Sequence, residues 1–168
     1  YMEDMKAAGY HPDEIDYVLC THLHLDHVGW NTYLKDGKWV PTFPNASYLF
    51  GKKDLEFWGA AKPDDENEFM QIQARVFEDS MQPIIGAGPA KPFDGPADVC
   101  EGVKLIPTPG HSPGHCSVLI ESKGETAMIT GDFIHHPIQF WDPGLVSPFD
   151  VDNDEAVKTR RRLFGEYA

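Results

Sequence analysis

The sequence has no long uninterrupted run of apolar residues and comparatively few basic ones. Its 168 residues include 27 Asp and Glu but only 14 Lys and Arg, which gives a formal net charge of −13 at pH 7. A transmembrane helix needs about 20 consecutive apolar residues, so no association with a membrane is predicted. An acidic surface repels polyanions, and a nucleic-acid substrate is therefore disfavoured.

Cysteine is also scarce, and its spacing lacks the pattern of a redox pair or a zinc knuckle. The three cysteines are Cys20, Cys100 and Cys116. An odd number without Cys-x-x-Cys spacing predicts reduced thiols, and we expect Cys20 and Cys116 to serve as small core residues. A cytoplasmic protein is favoured. Periplasmic or secreted locations stay open, because the chain starts at Tyr1 rather than Met and a signal peptide cannot be judged.

What the sequence does contain is a dense cluster of metal-binding residue types. His22, His24, Asp26 and His27 form a His-x-His-x-Asp-His pattern directly after the apolar stretch 15–20. These side chains must be paired when buried, and a divalent ion supplies that pairing. His22 and His24 lie on the same side of an extended segment, whereas Asp26 and His27 follow a turn, which suggests a second ion. The alternative is a solvated loop that is His-rich by chance.

Two further segments extend this pattern, namely 108–115 (TPGHSPGH) and 130–132 (TGD). Together with the histidine cluster they resemble the metallo-β-lactamase superfamily of metallohydrolases. The resemblance implies an αββα sandwich, whereas periodicity alone supports only an α/β (α+β) class. It makes residues 1–168 a single domain. Members of the family begin with several strands before the first helix and add a last metal-binding histidine late in the chain, so we expect this domain to be incomplete at both ends.

The resemblance implies six ligands for two ions. The first metal corresponds to His22, His24 and His111, the second to Asp26 and His27, and Asp132 corresponds to the carboxylate that bridges them. Zinc is the expected metal, with manganese, cobalt and iron as alternatives. Thiolate-using β-lactamases have cysteine at the position of Asp132, which argues against antibiotic hydrolysis. His115 is expected to support the site rather than to bind metal.

The chemistry that the resemblance implies is hydrolysis by a metal-bound hydroxide, with Asp26 orienting it and passing its proton to the leaving group. The expected substrate is a small lactone or other ester. A phosphotriesterase, a glyoxalase-II-like thioesterase and an inactive metal-binding fragment stay open as alternatives, as does a homodimer.

His135 stands where quorum-quenching lactonases carry a tyrosine that steadies the substrate carbonyl. The segment 131–139 looks more like the branch that holds methyl-parathion-hydrolase-like enzymes and broad lactonases. We therefore treat His135 as a candidate catalytic residue, with a purely structural role for His135 and His136 as the alternative.

Hydrophobic periodicity and turn residues predict the elements that carry these motifs. Helices are predicted at 2–9, 52–58, 66–81 and 154–164, and strands at 15–21, 46–50, 102–107, 116–121 and 126–130. The Gly- and Pro-rich stretch 83–96 is predicted to be irregular, and the basic run 158–162 to be solvated surface. Four aromatic residues are candidates for a substrate pocket wall: Phe57, Trp58, Phe69 and Phe77.

Overall fold

The computed structural model describes residues 1–167, which contain two main sheets and a separate hairpin. The parallel sheet has the order β1-β4-β5, with β1 at Tyr17–Leu19, β4 at Ser47–Gly51 and β5 at Ala90–Phe93. The antiparallel sheet has the order β6-β7-β8-β9, at Ala97–Cys100, Val103–Pro107, Cys116–Ser122 and Glu125–Ile129. The hairpin joins β2 (Thr32–Lys35) to β3 (Lys38–Pro41).

Helices from the middle of the chain pack against the parallel sheet, whereas the last helix lies beside the antiparallel sheet, where Arg162 donates a hydrogen bond to the Pro107 carbonyl. Their bounds are α1 Met2–Ala7, α2 Leu25–Val28, α3 Lys52–Gly59, α4 Glu68–Ser80, α5 Gln82–Ala87, α6 Ile138–Trp141 and α7 Asn153–Tyr167. The mixture of helix and strand confirms the predicted α/β class. Among residues 1–167, no helix has the length and apolarity needed to cross a membrane.

Strand β4 shows how one strand serves two cores. Successive side chains of a strand point to opposite faces. Tyr48 and Phe50 are fully buried in the larger core, together with Trp58 from α3 and Met81 between α4 and α5. Leu49 points the other way and packs against the smaller cluster of Leu105, Cys116 and Val118 in the antiparallel sheet. The parallel sheet therefore has helices on one face and the second sheet on the other.

The stretch 83–96 departs from its prediction, since it contains helix α5 and strand β5 instead of irregular chain. Pro83 lies in the first turn of α5, where its missing N–H costs no helical hydrogen bond. Pro92 lies in β5, which pairs only with β4 and so has a free edge. Both prolines thus lie at positions where a helix or a strand tolerates a residue without an N–H.

The prediction that the basic run 158–162 is solvated is wrong for Arg160. Its side chain is fully buried, whereas Lys158 and Arg162 are exposed. Helix α7 is capped as the acidic residues before it predict, because the Asp152 carboxylate accepts a hydrogen bond from the Glu155 amide at 2.9 Å. Helix α7 thus places one charged side chain, that of Arg160, in the protein interior.

The cysteines are free thiols, with Cys20 and Cys116 buried and Cys100 exposed. Burial raises the pKa of Cys20 to about 11 and that of Cys116 to about 12. Thiols of this kind are neutral at physiological pH, which agrees with the packing role predicted for them.

Candidate metal centre

The first loop of the site runs from the end of β1 into helix α2. His24 lies in extended chain and occupies the position before the first helical residue, and His22 lies in a bend two residues earlier. Asp26 and His27 lie within α2, so the change of backbone direction turns their side chains away from the plane of the first two. The start of helix α2 therefore separates His27 from the two histidines that precede it.

The second and third segments reach the same place from the antiparallel sheet. His111 lies in the connection between β7 and β8, and Asp132 lies in the short 3-10 turn after β9. The Cys116 amide, at the start of β8, donates a hydrogen bond of 2.8 Å to the Thr21 carbonyl beside His22. The two sheets thus meet where the ligand-bearing segments emerge.

Three histidines converge at this junction. His22, His24 and His111 are all buried, and each offers a ring nitrogen that lies within 4.8 Å of those of the other two. The closest pair, His111 Nε2 and His24 Nδ1, is 2.9 Å apart. Burial, followed by neighbouring imidazoles, lowers the pKa of His22 well below its usual value and that of His24 to about 4.

This group fits a divalent ion on the chemistry of its donors. Within residues 1–167, His22 Nε2 is buried and has no hydrogen-bond partner. A buried ring nitrogen left unpaired is costly, and a metal ion removes that cost by accepting its lone pair. Neutral imidazoles are also the form that binds metal. The three histidines are therefore suited to hold a divalent ion.

A second group overlaps the first. His22, His27 and Asp132 also bring ligand atoms within 4.8 Å of one another. His27 Nε2 lies 3.5 Å from Asp132 Oδ1 and 3.5 Å from Asp26 Oδ2. The hydrogen bond between His27 and Asp132 raises the pKa of the imidazole and lowers that of the Asp132 carboxyl to about 2. Asp26 is largely exposed and lies outside the three-residue groups, at the edge of the site.

His135 joins the cluster and His136 does not. The Nε2 atom of His135 lies 3.6 Å from Asp132 Oδ2, and His111, Asp132 and His135 form a third group of close ligand atoms. His136 instead accepts a hydrogen bond from the Ile138 amide through Nδ1, at 3.1 Å, outside the cluster. Of the two candidates, only His135 lies in the cluster.

His115 contacts the Asp132 segment through hydrogen bonds and lies outside the three groups of close ligand atoms. Its Nε2 accepts a hydrogen bond from the Asp132 amide at 2.9 Å, so its Nδ1 carries the proton and donates to Thr108 Oγ1 at 2.7 Å. Thr108 then bonds Ser117 Oγ, which donates to the Thr130 carbonyl at 2.8 Å. Both ring nitrogens of His115 are occupied, in agreement with the supporting role predicted for it.

A cavity of about 410 Å³ opens beside these groups. Its lining consists of His24, Leu25, Asp26, Phe69, His111, Asp132, His135 and Phe149. Of the four predicted wall residues, Phe69 is in this lining, Trp58 and Phe77 are buried in the core, and Phe57 is partly exposed outside the lining. A larger cavity of about 580 Å³ is lined by Trp30 and Tyr33 and contains none of the clustered histidines, so we assign the chemistry to the smaller one.

The sequence comparisons settle the family. A profile described as the Metallo-beta-lactamase superfamily matches residues 1–166. The chain belongs to this superfamily.

Among its curated relatives are lactonases. An N-acyl homoserine lactonase of Bacillus cereus is 29% identical over 160 residues, covering 95% of this chain and 54% of the relative. The N-acyl homoserine lactonase AttM of Rhizobium radiobacter is 23% identical over 172 residues, covering 96% and 57%. The chain thus spans about half the length of the curated members of the superfamily that it matches.

Solved structures of the superfamily confirm the predicted fold. A hydrolase of the beta lactamase superfamily called AbOPH aligns with a TM-score of 0.81 and 33% identity, over 99% of this chain and 58% of its own. AidC, described as a dizinc quorum-quenching lactonase and solved with an N-acyl homoserine product, aligns with a TM-score of 0.78 and 26% identity, over 99% and 58%. The two sheets and their helices are therefore parts of an α/β sandwich.

Sequence reasoning missed two residues that brace the first loop of this superfamily site. The buried Asp54 carboxylate, on α3, accepts hydrogen bonds from the Leu23 amide at 3.0 Å and from Ser112 Oγ at 2.8 Å. Gln73, on α4, accepts from the Leu25 amide at 2.9 Å and donates to the Leu23 carbonyl at 3.0 Å. Both lie in predicted helices, but nothing in their spacing marks them, since their partners are distant in the chain.

Proposed function

We propose that the chain carries the metal centre of a hydrolase that opens a lactone or another ester-like bond. The observation that carries the proposal is the buried group of three histidines, adjoined by Asp132 at a cavity of about 410 Å³. The curated relatives are named as lactonases, which supports a lactone as the first substrate class to test.

The residues present divide into metal holders and groups that act on the substrate. His22, His24 and His111 would hold the first ion, and His27 and Asp132 the second. When bound, zinc supplies Lewis acidity and lowers the pKa of water to about 7. The exposed carboxylate of Asp26, which lines the cavity, would take the proton of the attacking water and return it to the leaving oxygen.

His135 is proposed to steady the substrate carbonyl. Its ring lines the cavity, and burial lowers the pKa of the imidazole, which keeps it neutral at physiological pH. A neutral imidazole has one N–H to donate to an oxygen that gains negative charge during the reaction. His135 would thus do by hydrogen bonding what a tyrosine does at this position in other lactonases.

The charge and polarity of the cavity lining favour some of the candidate substrate classes over others. Of the residues described for it, none is a lysine or an arginine, and Leu25, Phe69 and Phe149 make it partly apolar. A neutral lactone or phosphotriester suits such a wall, whereas the anionic glutathione moiety of a thioester would find no counter-charge. Phosphotriester hydrolysis is therefore the second candidate, favoured by the two phenylalanines.

The test is a panel of lactones, phosphotriesters and thioesters with the protein loaded with zinc, manganese or cobalt. We expect the highest kcat/KM for a lactone. Asp132→Ala should lower metal content and turnover together, because its carboxylate joins two of the ligand groups. Asp64→Ala, an exposed carboxylate between α3 and α4, is the matched control. Full metal content and full turnover in Asp132→Ala would refute the assignment.

A further inference from the structure

The ring of His111 is engaged at both nitrogens. Its Nε2 lies 2.9 Å from His24 Nδ1 inside the three-histidine group, and its Nδ1 lies 3.1 Å from Asp150 Oδ1. The side chains of His111 and Asp150 are 2% and 0% exposed, so water does not compete for this contact. Among residues 1–167, the carboxylate of Asp150 is thus the only hydrogen-bond partner of the His111 ring outside the cluster of histidines and Asp132.

The contact determines which ring nitrogen carries the proton. A carboxylate only accepts hydrogen bonds, so the hydrogen must be on Nδ1 of His111. A neutral imidazole with a protonated Nδ1 has its lone pair on Nε2. That nitrogen is the one turned toward His24 and the first proposed metal position.

The Asp150 carboxylate is held in place by groups around its second oxygen. Oδ2 accepts a hydrogen bond from the Ser147 amide at 3.1 Å and lies 3.7 Å from the guanidinium of Arg160. Arg160 is fully buried and donates to three backbone carbonyls, those of Phe133, Pro143 and Leu145. One of them, Phe133, directly follows Asp132, so Arg160 links the carboxylate behind His111 to the segment of the bridging position.

The backbone of His111 is attached to the same region of the chain. The Val151 amide donates to the His111 carbonyl at 3.1 Å, and the Asp152 amide donates to the Gly110 carbonyl at 2.9 Å. A Cβ at Gly110 would lie 2.3 Å from the backbone of Ala156 in α7, so only glycine permits this approach. Ring and backbone of His111 are therefore positioned by one short segment, 150–160.

We propose that Asp150 is the positioning residue of His111: it selects the tautomer that presents Nε2 to the metal, and Arg160 holds its carboxylate in place. Carboxylates that accept from the second ring nitrogen of a ligand histidine act in this way in many metal sites, and their loss costs about 10–100-fold in affinity. The effect on zinc rests on the proposed function. The tautomer does not, because it is a property of the metal-free protein.

The experiment compares the unsubstituted protein with Asp150→Asn and with the matched control Asp152→Asn. Asp152 lies two residues away, caps α7 and has no contact with His111 among its hydrogen bonds, and asparagine caps a helix equally well. Long-range 1H–15N NMR of the metal-free protein reads the tautomer of His111, and competition with a chelator gives the Kd for zinc. Thermal unfolding shows whether each variant is folded.

We expect the unsubstituted protein and Asp152→Asn to have the proton of His111 on Nδ1. In Asp150→Asn the side-chain amide can donate to Nδ1 instead, so a population protonated on Nε2 should appear and zinc should bind about 10–100-fold more weakly. Arg160→Lys, which keeps the charge but loses the planar donor set, should weaken zinc binding by a smaller factor.

Two results would overturn the inference. The first is a His111 protonated on Nε2 in the unsubstituted metal-free protein, which decides the matter even if Asp150→Asn does not fold. The second is a folded Asp150→Asn variant with unchanged tautomer and unchanged zinc affinity. A tautomer that switches in Asp150→Asn, in a protein that binds no zinc at all, would support the positioning role and refute the proposed function.

Discussion

Gly131 is the residue where backbone conformation and available space both exclude a side chain. Its φ of +57° lies in the left-handed region. A Cβ there would lie 2.7 Å from His115 Nε2, the atom that accepts the hydrogen bond from the Asp132 amide. Any side chain at this position would therefore push His115 away from the segment that it supports.

We predict that Gly131→Ala destabilises the protein by about 2 kcal/mol, since the left-handed conformation costs about 1–2 kcal/mol and a lost hydrogen bond about 1 kcal/mol. Urea unfolding measures the change. The control is Gly165→Ala in helix α7, where no atom lies within 4 Å of the added Cβ. This variant should be more stable by about 0.5–1 kcal/mol, because alanine favours the helix. Equal effects of the two substitutions would contradict the argument.

At the scale of secondary structure, helix α3 joins the two ligand-bearing loops. Asp54 accepts from Leu23, between His22 and His24, and from Ser112, next to His111. It also accepts from the Gly114 amide. Burial raises the pKa of the Asp54 carboxyl, and these three hydrogen bonds oppose that rise. The helix thus contributes one buried acceptor that positions both loops of the first proposed metal site.

Asp54→Ala should lower the free energy of unfolding by about 3 kcal/mol, because three donors, two of them buried, lose their acceptor at about 1 kcal/mol or more each. Zinc binding should weaken as well, since the two loops are no longer held together. Glu56→Ala, on the exposed face of the same helix, should change stability by no more than about 0.5 kcal/mol. A normal zinc Kd in a folded Asp54→Ala protein would show that the loops hold their positions without it.

The parts of the site that sequence predicted are those that depend on local spacing. His22, His24, Asp26 and His27 lie within one short segment, in which the turn at α2 separates Asp26 and His27 from the two histidines before it. Family resemblance added His111 and Asp132, because their motifs are also short and contiguous. The structure brings all of these together except Asp26, whose exposed side chain remains at the edge.

The parts that sequence did not predict depend on contacts across long separations. Asp54 lies 58 residues from Ser112, and Asp150 lies 39 residues from His111. The hydrophobic periodicity of the sequence does not predict such contacts, because they form only when the two sheets pack together. Arg160 was mistaken for surface for the same reason: a run of basic residues is usually solvated, and only the tertiary fold shows which member is buried.

At the scale of the whole molecule, charge and cavity favour the same ligands. The net charge of −13 attracts divalent cations and repels anionic substrates. The cavity beside the histidines offers apolar walls and no basic side chain among the residues described for it. Both features therefore favour the small neutral substrate proposed above.

The number of candidate ligand atoms predicts how many zinc ions the chain holds tightly. If the three-histidine group binds the first ion, the atoms left for a second are those of His27 and Asp132, with Asp26 largely exposed beside them. Catalytic zinc sites usually have three protein ligands, and a carboxylate shared between two cations donates less to each. His135 lies 3.6 Å from Asp132 but only three positions from it in the chain, which restricts joint binding of one ion.

We therefore predict that this 168-residue chain, purified as such, retains close to one zinc ion after dialysis and binds a second one weakly. Elemental analysis gives the retained amount, and calorimetric titration with zinc gives the affinity of the second. His111→Ala should abolish the tight site, while His136→Ala, outside the ligand groups, should leave it unchanged. Two tightly held ions per chain would contradict the prediction. If His135→Ala then removed one of them, His135 would be the missing ligand, and if it did not, Asp26, 3.5 Å from His27, or a second copy of the chain would supply it.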